Sequence, residues 1–257
     1  MYLRGCGVMA IEVFNRYEKK FIISDETYRQ LKSQLAEYME VDEHSRNGDF
    51  YSICNIYYDT PDNQIISRSI EKPLYKEKLR LRSYGVASPK DKVYLEIKKK
   101  YNGRVNKRRT SIILEEAYRY INTKQKPMAN GIMNEQILNE IDFFLQRYPT
   151  LQPALFLSYE RDAMFSKEDR SFRVTFDTNI RTRRDNLGLD IGNFGDPLLS
   201  KDEWIMEVKI KDGVPLWFAQ ILSKYKLYST SFSKYGTEYK KLMATELMPY
   251  LSNKIYA

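Results

Sequence analysis

The sequence predicts an α+β fold built on an antiparallel β-sheet, with helices packed against it. Six or seven segments alternate apolar and charged side chains, as strands with two unlike faces do. Between them lie segments whose apolar residues recur every three or four positions, which is typical of helices that bury one side. The clearest strand is at residues 78–82, where Lys78, Arg80 and Arg82 share one face and two leucines share the other.

The predicted elements follow one another along the chain without a linker. We expect strands at residues 13–23, 51–58, 78–82, 92–98, 105–114, 155–161, 172–177 and 204–211. We expect helices at residues 25–39, 63–70, 115–121, 135–145, 216–224 and 237–251. Ser24 and Asn134 are typical N-cap residues for the first and fourth of these helices. Because no repeat or low-complexity tract occurs, we expect one domain over residues 11–252, preceded by a short extension of residues 1–10.

The composition favours a polyanionic partner. The 257 residues include 42 Lys and Arg against 34 Asp and Glu, a net charge of +8, which suits nucleic acid, an anionic membrane surface or a phosphate compound. One histidine, His44, and two cysteines argue against histidine-based catalysis, a Cys/His zinc site and a disulfide framework. No apolar stretch is long enough for a transmembrane segment and residues 1–10 lack a signal-peptide pattern, so we expect a cytoplasmic protein.

The charged faces of the predicted strands carry both signs of charge in a repeated order. A carboxylate stands two residues before a lysine, so that both groups share a strand face. This occurs at Glu18-x-Lys20, Glu96-x-Lys98 and Glu207-x-Lys209, and arginines hold the matching phase at Arg80, Arg82, Arg161 and Arg173. A nucleic-acid surface gains from cations and loses from carboxylates, whereas a divalent metal ion needs carboxylate oxygens. The mixture therefore disfavours nucleic acid.

Solvent exposure would explain any one charged face, and a closed sheet would explain all of them together. In a half-exposed antiparallel sheet the charged side meets water. If the sheet closes into a barrel, the charges line a lumen, where dry burial would cost on the order of several kcal/mol per ion. A water-filled lumen that holds a metal-bound polyanion avoids this cost, and arginine offers the planar fork that suits phosphate oxygens.

The strand at residues 105–114 has an ambiguous phase. Its basic residues are consecutive, so periodicity leaves open whether Lys107 and Arg109, or instead Arg108, join the charged face. The basic run at residues 98–109 surrounds the predicted Asn102-Gly103 hairpin turn. It either extends the mouth of a tunnel, the reading that we favour, or forms a solvated hairpin.

Eight short motifs carry a resemblance to a known family. They are Arg16-Tyr17-Glu18-Lys19-Lys20, Tyr57-Tyr58-Asp59-Thr60, Lys78-Leu79-Arg80-Leu81-Arg82, Glu96-Ile97-Lys98, Tyr159-Glu160-Arg161, Arg173-Val174-Thr175-Phe176-Asp177, Glu207-Val208-Lys209 and Ser233-Lys234-Tyr235. With these motifs in this order, about residues 13–242 resemble the VTC polyphosphate polymerase domain of the triphosphate tunnel metalloenzyme (CYTH-like) superfamily. The resemblance implies an antiparallel β-barrel tunnel with helices packed around it.

The resemblance also implies an activity and the residues that perform it. The activity is ATP-dependent polyphosphate polymerisation, in which the γ-phosphoryl group of ATP passes to a growing inorganic polyphosphate chain. The implied catalytic and phosphate-binding residues are Lys20, Arg80, Arg82, Lys98, Arg161, Arg173, Lys209 and Lys234. Glu207 is the implied principal ligand of Mn²⁺ or Mg²⁺. Glu18 and Glu96 are weaker metal-ligand candidates, and each could instead orient a neighbouring lysine.

The implied partners are ATP and inorganic polyphosphate or pyrophosphate, without nucleic acid. Members of the family are commonly associated with membrane proteins. A separate membrane protein is therefore a further expected partner, which would hold the chain at the inner face of the membrane.

Two other functions stay open. A tunnel triphosphatase would share the fold and the metal but transfer the phosphate to water, and a polyphosphate-binding module would need the cations but not Glu207. The hydrolytic tunnel enzymes usually open with Glu-x-Glu-x-Lys, whereas Arg16 occupies the first acidic position here. This departure resembles the polymerase branch and does not exclude slow triphosphate hydrolysis.

Overall fold

The computed structural model describes residues 17–42, 50–211 and 213–255, with side chains described as far as residue 246. Ten strands form one sheet: β1 (Tyr17–Ser24), β2 (Met39–Val41), β3 (Tyr51–Asp59), β4 (Tyr75–Tyr84), β5 (Lys92–Tyr101), β6 (Arg104–Ile113), β7 (Gln152–Ser166), β8 (Arg173–Arg183), β9 (Asp196–Pro197) and β10 (Glu203–Ile210). The helices are α1 (Asp25–Leu35), α2 (Gln64–Ile70), α3 (Leu114–Thr123), α4 (Glu135–Arg147), α5 (Leu216–Lys224) and α6 (Lys234–Ile255). The predicted α+β class is confirmed.

The sheet curls into a tunnel although hydrogen bonds do not close it. Its strands pair antiparallel in the order β1-β10-β8-β7-β3-β4-β5-β6, with β2 beside β7 and β9 beside β8. Within the described residues, the end strands β1 and β6 do not pair. Lys98 Nζ on β5 nevertheless lies 2.9 Å from Glu18 Oε2 on β1, although five strands separate β1 from β5 in the sheet. The face that carries these two side chains is therefore concave.

The apolar faces of the strands pack outward against helices. Helices α3 and α4 cover β4 and β5, where Leu81 and Leu95 are buried. Helices α1 and α5 cover β1, β8 and β10 in a second cluster around Phe176. A third cluster includes Ile205, which stands opposite Asp177 in the register and so lies on the concave face. No helix in the described part of the chain has the length and apolar character that crossing a bilayer requires.

The register settles the phase of β6. Lys107 stands opposite Lys98, and Arg109 stands opposite Glu96, so both side chains join the concave face. Arg108 stands opposite Ile97 on the convex face. Its guanidinium lies 2.7 Å from Glu140 of α4, where the ion pair ties the helix to the sheet.

Several element boundaries differ from the sequence prediction; α1, for example, ends at Leu35 and not at residue 39, since Met39 begins β2. Two others differ for identifiable reasons. Strand β8 continues beyond residue 177, but Asn179 has a φ of 47° and breaks the alternation on which the prediction depended. Helix α6 begins at Lys234 rather than at residue 237, because the Ser233 hydroxyl accepts a hydrogen bond from Gly236 N and caps it. The predicted start of β1 at residues 13–16 falls outside the described residues.

We expect replacement of Asn134 by Ala to lower the free energy of unfolding by about 1 kcal/mol. Asn134 Oδ1 accepts a hydrogen bond of 3.1 Å from Ile137 N at the first turn of α4, and alanine leaves that N–H without its partner. Urea unfolding followed by circular dichroism measures the change. The control is Asn134→Asp, which keeps a capping oxygen and should lose much less; equal losses in the two variants would contradict the capping role.

Candidate active site

Charged side chains line the concave face, which we call the tunnel face. Its cations are Lys20, Lys78, Arg80, Arg82, Lys98, Lys107, Arg109, Arg161, Arg173, Lys209 and Lys234, and its carboxylates are Glu18, Glu96, Asp177 and Glu207. Residues opposite one another in a β-ladder share a face, and α6 adds the last cation. Every site residue predicted from the sequence therefore lies on this face. Because cations outnumber carboxylates there, the tunnel face suits an anionic ligand.

Glu96 is buried among three cations. It is 1% exposed, and its two oxygens lie 2.6 Å from Arg80 Nε and 2.6 Å from Lys107 Nζ, with Arg82 Nε at 3.9 Å. Burial by itself would raise the pKa of this carboxyl, but the charges of Arg80, Arg82 and Lys107 outweigh it and hold the pKa well below its ordinary value. Glu96 is thus ionised, and it orients these three cations toward the lumen.

Asp177 organises a second group on the tunnel face. Arg161 donates two hydrogen bonds to its carboxylate, of 2.6 and 2.8 Å, and Lys234 Nζ lies 2.5 Å from Oδ2. Burial would raise the pKa of Asp177, but Arg161 and Lys234 outweigh it and lower the pKa to about 2. Asp177 was not predicted as a site residue, although its alternation in phase with Arg173 along β8 is visible in the sequence.

Of the buried tunnel-face carboxylates Glu96, Asp177 and Glu207, Glu207 has the longest contacts with its cations. It is 9% exposed, and its oxygens lie 3.7 Å from both Lys20 Nζ and Lys209 Nζ. Burial would raise its pKa, but Lys20, Lys209 and Arg161 hold the pKa well below its ordinary value, so the group is a carboxylate. The negative charge of Glu18 acts on Glu207, and Glu18 itself pairs with Lys98.

The oxygen atoms around Glu207 fit a hard divalent cation. Thr175 stands opposite Glu207 in the register, and its buried hydroxyl has no hydrogen-bond partner among the described residues. Glu207, Thr175 and Glu18 would supply the oxygen ligands that Mg²⁺ or Mn²⁺ prefers. The described residues contain no metal-binding group of three His, Cys, Asp or Glu side chains, so phosphate oxygens of a ligand would have to complete the coordination. Glu96 fits this role poorly because cations occupy both of its oxygens.

The first turn of α6 delivers Lys234 to the tunnel face. Tyr235 donates a hydrogen bond of 2.9 Å to Asp59, a buried carboxylate that also accepts bonds from the backbone N–H groups of Ile65 and Ile66 at the start of α2. One turn later, Glu238 of α6 and the Arg184 guanidinium form two contacts of 2.7 Å. These two attachments fix the helix and therefore the position of Lys234.

The segment before α6 covers the free edge of β1. Thr230 N donates a hydrogen bond of 2.7 Å to the carbonyl oxygen of Lys20. The side chain of Lys20 donates in turn to Phe232 O at 3.2 Å. Lys78 Nζ, on the opposite wall, lies 3.5 Å from the Ser233 hydroxyl. The segment therefore contacts both β1 and β4, which lie on opposite walls of the tunnel.

Three lysines on the tunnel face have lowered pKa values. Burial is the largest cause for each, and cationic neighbours add to it. The pKa of Lys78 falls to about 7 and that of Lys209 to about 8, whereas the pKa of Lys107 lies well below its ordinary value. The carboxylates of the face therefore do not neutralise its positive potential, and an anion in the lumen would stabilise the charged form of all three lysines.

A curled antiparallel sheet with a cation-rich concave face defines a tunnel fold that suits an anionic ligand. The family model of the VTC domain matches residues 15–243. The chain therefore belongs to the VTC domain family. No curated protein matches its sequence.

Solved structures share the fold at low sequence identity. A proposed adenylate cyclase from Bacillus halodurans matches with a TM-score of 0.53 and 16% identity, over 87% of this chain and 96% of that one. A Hippeastrum protein described as a proposed adenylyl cyclase with a dominant triphosphatase activity matches with a TM-score of 0.45 and 13% identity, over 88% and 93%. The Mimivirus capping enzyme triphosphatase has a TM-score of 0.36 and 8% identity, over 84% and 89%. The first of these structures supports the tunnel fold.

Arg16, which marks the departure from the hydrolytic motif, and His44 both lie outside the described residues. Two further cations were not predicted as site residues, namely Lys107, whose phase is ambiguous in the sequence, and Lys78, which shares the charged face of its strand. Both side chains lie on the tunnel face.

We expect Asp177→Asn to lower the free energy of unfolding by about 3 kcal/mol at pH 7, because it leaves Arg161 buried without its counter-charge. The pKa of Asp177 is about 2, below its ordinary value of 3.8. A depressed carboxyl pKa stabilises the fold above the unfolded pKa, and the contribution disappears as the pH falls through the folded pKa. The difference between wild type and variant should therefore vanish between about pH 4 and pH 2.

Urea unfolding at a series of pH values measures this difference. The control is Asp62→Asn, which makes the same change at an exposed position. A difference that is the same at pH 7 and pH 2, or that is absent at pH 7, would contradict the assignment of Asp177 as the counter-charge of Arg161.

Proposed function

We propose that the chain is an ATP-dependent polyphosphate polymerase, which transfers the γ-phosphoryl group of ATP to a growing inorganic polyphosphate chain in the tunnel. The observation that carries the proposal is the excess of cations over carboxylates on the tunnel face of a VTC domain. A triphosphate and a polyphosphate end present the same kind of repeating charge. One cation-lined tunnel can therefore accommodate both the donor and the acceptor of such a transfer.

The proposed roles follow from what phosphoryl transfer requires. The reaction needs alignment of donor and acceptor, and stabilisation of charge on the transferred group, more than covalent participation by the protein. We assign both tasks to the predicted cations, which are Lys20, Arg80, Arg82, Lys98, Arg161, Arg173, Lys209 and Lys234. Glu96 and Asp177 hold four of them in fixed orientations, namely Arg80, Arg82, Arg161 and Lys234. Such preorganised charges need little rearrangement during the reaction.

We propose Glu207 as the principal ligand of Mn²⁺ or Mg²⁺, with Glu18 beside it. A bound divalent cation would supply positive charge to phosphate oxygens. Without a ligand, Lys98 pairs with Glu18. A phosphate group that attracts Lys98 would leave Glu18 free to act as an oxygen ligand. We assign Glu96 to positioning rather than to metal binding.

Incubation with ATP, Mn²⁺ or Mg²⁺ and a trace of pyrophosphate tests the activity. We expect a ladder of polyphosphate on a stained gel, and we expect Lys98→Ala and Arg173→Ala each to abolish it because they remove cations of the tunnel face. Lys90→Ala removes an exposed lysine elsewhere and should leave the ladder unchanged. ADP and orthophosphate without a ladder would replace the proposal with a triphosphatase. Polyphosphate binding without turnover would leave a binding module.

Glu207→Gln should reduce metal-dependent turnover by about 100-fold or more, because the amide keeps the shape of the side chain and removes its charge. The matched control is Glu160→Gln on β7, where the carboxylate accepts a hydrogen bond from Asn179 and is not on the tunnel face. Initial rates over a titration of Mn²⁺ measure the effect. Unchanged turnover in Glu207→Gln would show that this carboxylate is not the metal ligand.

A further inference from the structure

Two pairs of lysines face each other across β4 and β5. Lys76 stands opposite Lys100, and Lys78 stands opposite Lys98. Alternate residues of a strand share a face, so all four ammonium groups point to the same side of the sheet. We call these four residues the lysine ladder. Like charges directly opposite one another destabilise an antiparallel pair, so the ladder opposes folding unless something compensates it.

The chain compensates this repulsion only with uncharged partners at two positions, since Lys76 Nζ donates a hydrogen bond of 2.9 Å to Ser69 O and Lys78 Nζ lies 3.5 Å from the Ser233 hydroxyl. Lys98 pairs with Glu18, but no ion pair to Lys76, Lys78 or Lys100 occurs among the described residues. The carboxylates of Glu77 and Asp59 have other partners. Glu77 lies on the other face of β4, where it contacts Arg147 and accepts a hydrogen bond from Tyr148.

Asp59 is the other carboxylate whose charge acts on Lys78. Its oxygens accept hydrogen bonds from the backbone N–H groups of Thr60, Ile65 and Ile66 and from the hydroxyl of Tyr235. It therefore anchors α2 and α6 and has no free oxygen directed at the ladder. The positive charge of the ladder consequently remains available to a ligand.

The ladder is continuous with the tunnel face and leads out of it. Lys78 and Lys98 belong to the tunnel face, whereas Lys76 and Lys100 lie one step farther along the same strands, toward the Asn102-Gly103 turn. All four side chains are half-buried. Burial together with Lys100, Lys72 and Lys98 lowers the pKa of Lys76, so exposed Lys72 extends the same positive region outward.

We infer that the lysine ladder binds the polyphosphate chain beyond the reacting phosphates and guides it out of the tunnel. The inference rests on the proposed function and deepens it by naming a subsite. The ladder continues the tunnel face, so an anion that leaves the lumen along β4 and β5 passes first the Lys78/Lys98 pair and then the Lys76/Lys100 pair. A linear chain of phosphates provides one charge after another along such a path, and a short triphosphate held in the lumen would not reach Lys76 and Lys100.

The test compares affinities for long-chain polyphosphate and for tripolyphosphate in wild type and in the double variant Lys76→Gln/Lys100→Gln. We expect the ratio of the long-chain affinity to the tripolyphosphate affinity to fall about tenfold in the double variant. We also expect the slope of log affinity against log salt for the long chain to decrease by about two, one unit for each lost phosphate contact. Fluorescence anisotropy with end-labelled chains measures both quantities.

The matched control is Lys90→Gln/Lys201→Gln, which removes two exposed lysines that lie in loops outside β4 and β5. An equal fall in the control would show an effect of net charge alone and would overturn the inference. The folding of the ladder variant is checked by its melting temperature. Relief of repulsion between Lys76 and Lys100 should leave that temperature equal to or above the wild-type value.

The outcomes separate this inference from the proposed function. A fall in the affinity ratio supports the ladder even if the chain makes no polymer from ATP. An unchanged ratio overturns the ladder even if polymer is made. A third result is that the ladder variant loses binding to phosphatidylserine vesicles while its ratio of long-chain to tripolyphosphate affinity is unchanged. That result would assign the surface to an anionic membrane and would also overturn the inference.

Discussion

Partial neutralisation by buried carboxylates is the constraint on which the rest of the structure depends. A sheet that curls until its charged faces meet brings many cations together, and their repulsion opposes the curl. Glu96, Asp177 and Glu207 each stand between cations from different elements and offset that repulsion. Because they are fewer than the cations, they stabilise the tunnel without making it neutral. This partial neutralisation explains why carboxylates occur in a site for anions.

The tunnel also depends on an element distant in sequence. Helix α6 closes the third apolar cluster on the concave face and inserts Lys234 beside Asp177. Tyr235 and Glu238 attach the helix to Asp59 and Arg184. The apolar packing of α6 thus positions one cation of the site. Residues that never meet the ligand can in this way affect its binding.

The sequence predicted the face that each strand presents because alternation is a local property. It placed Lys20, Arg80 and Glu207 correctly on one surface, and the resemblance supplied the tunnel. It did not find the role of Asp177, the phase of β6 or the start of α6. These features depend on register and on packing between distant segments, which a local pattern does not contain. Consecutive basic residues in β6 fit either phase until the pairing with β5 chooses one.

The seam between the two ends of the sheet is held by side-chain and loop contacts rather than by a backbone ladder. No ladder of backbone hydrogen bonds joins β1 to β6 within the described residues. Instead, the Lys98–Glu18 ion pair joins β5 to β1, and the segment before α6 contacts both β1 and β4. An anion that competes for Lys98 weakens the Lys98–Glu18 ion pair. The contact across the seam therefore depends on salt and on a competing anion, as the backbone ladder of a closed barrel would not.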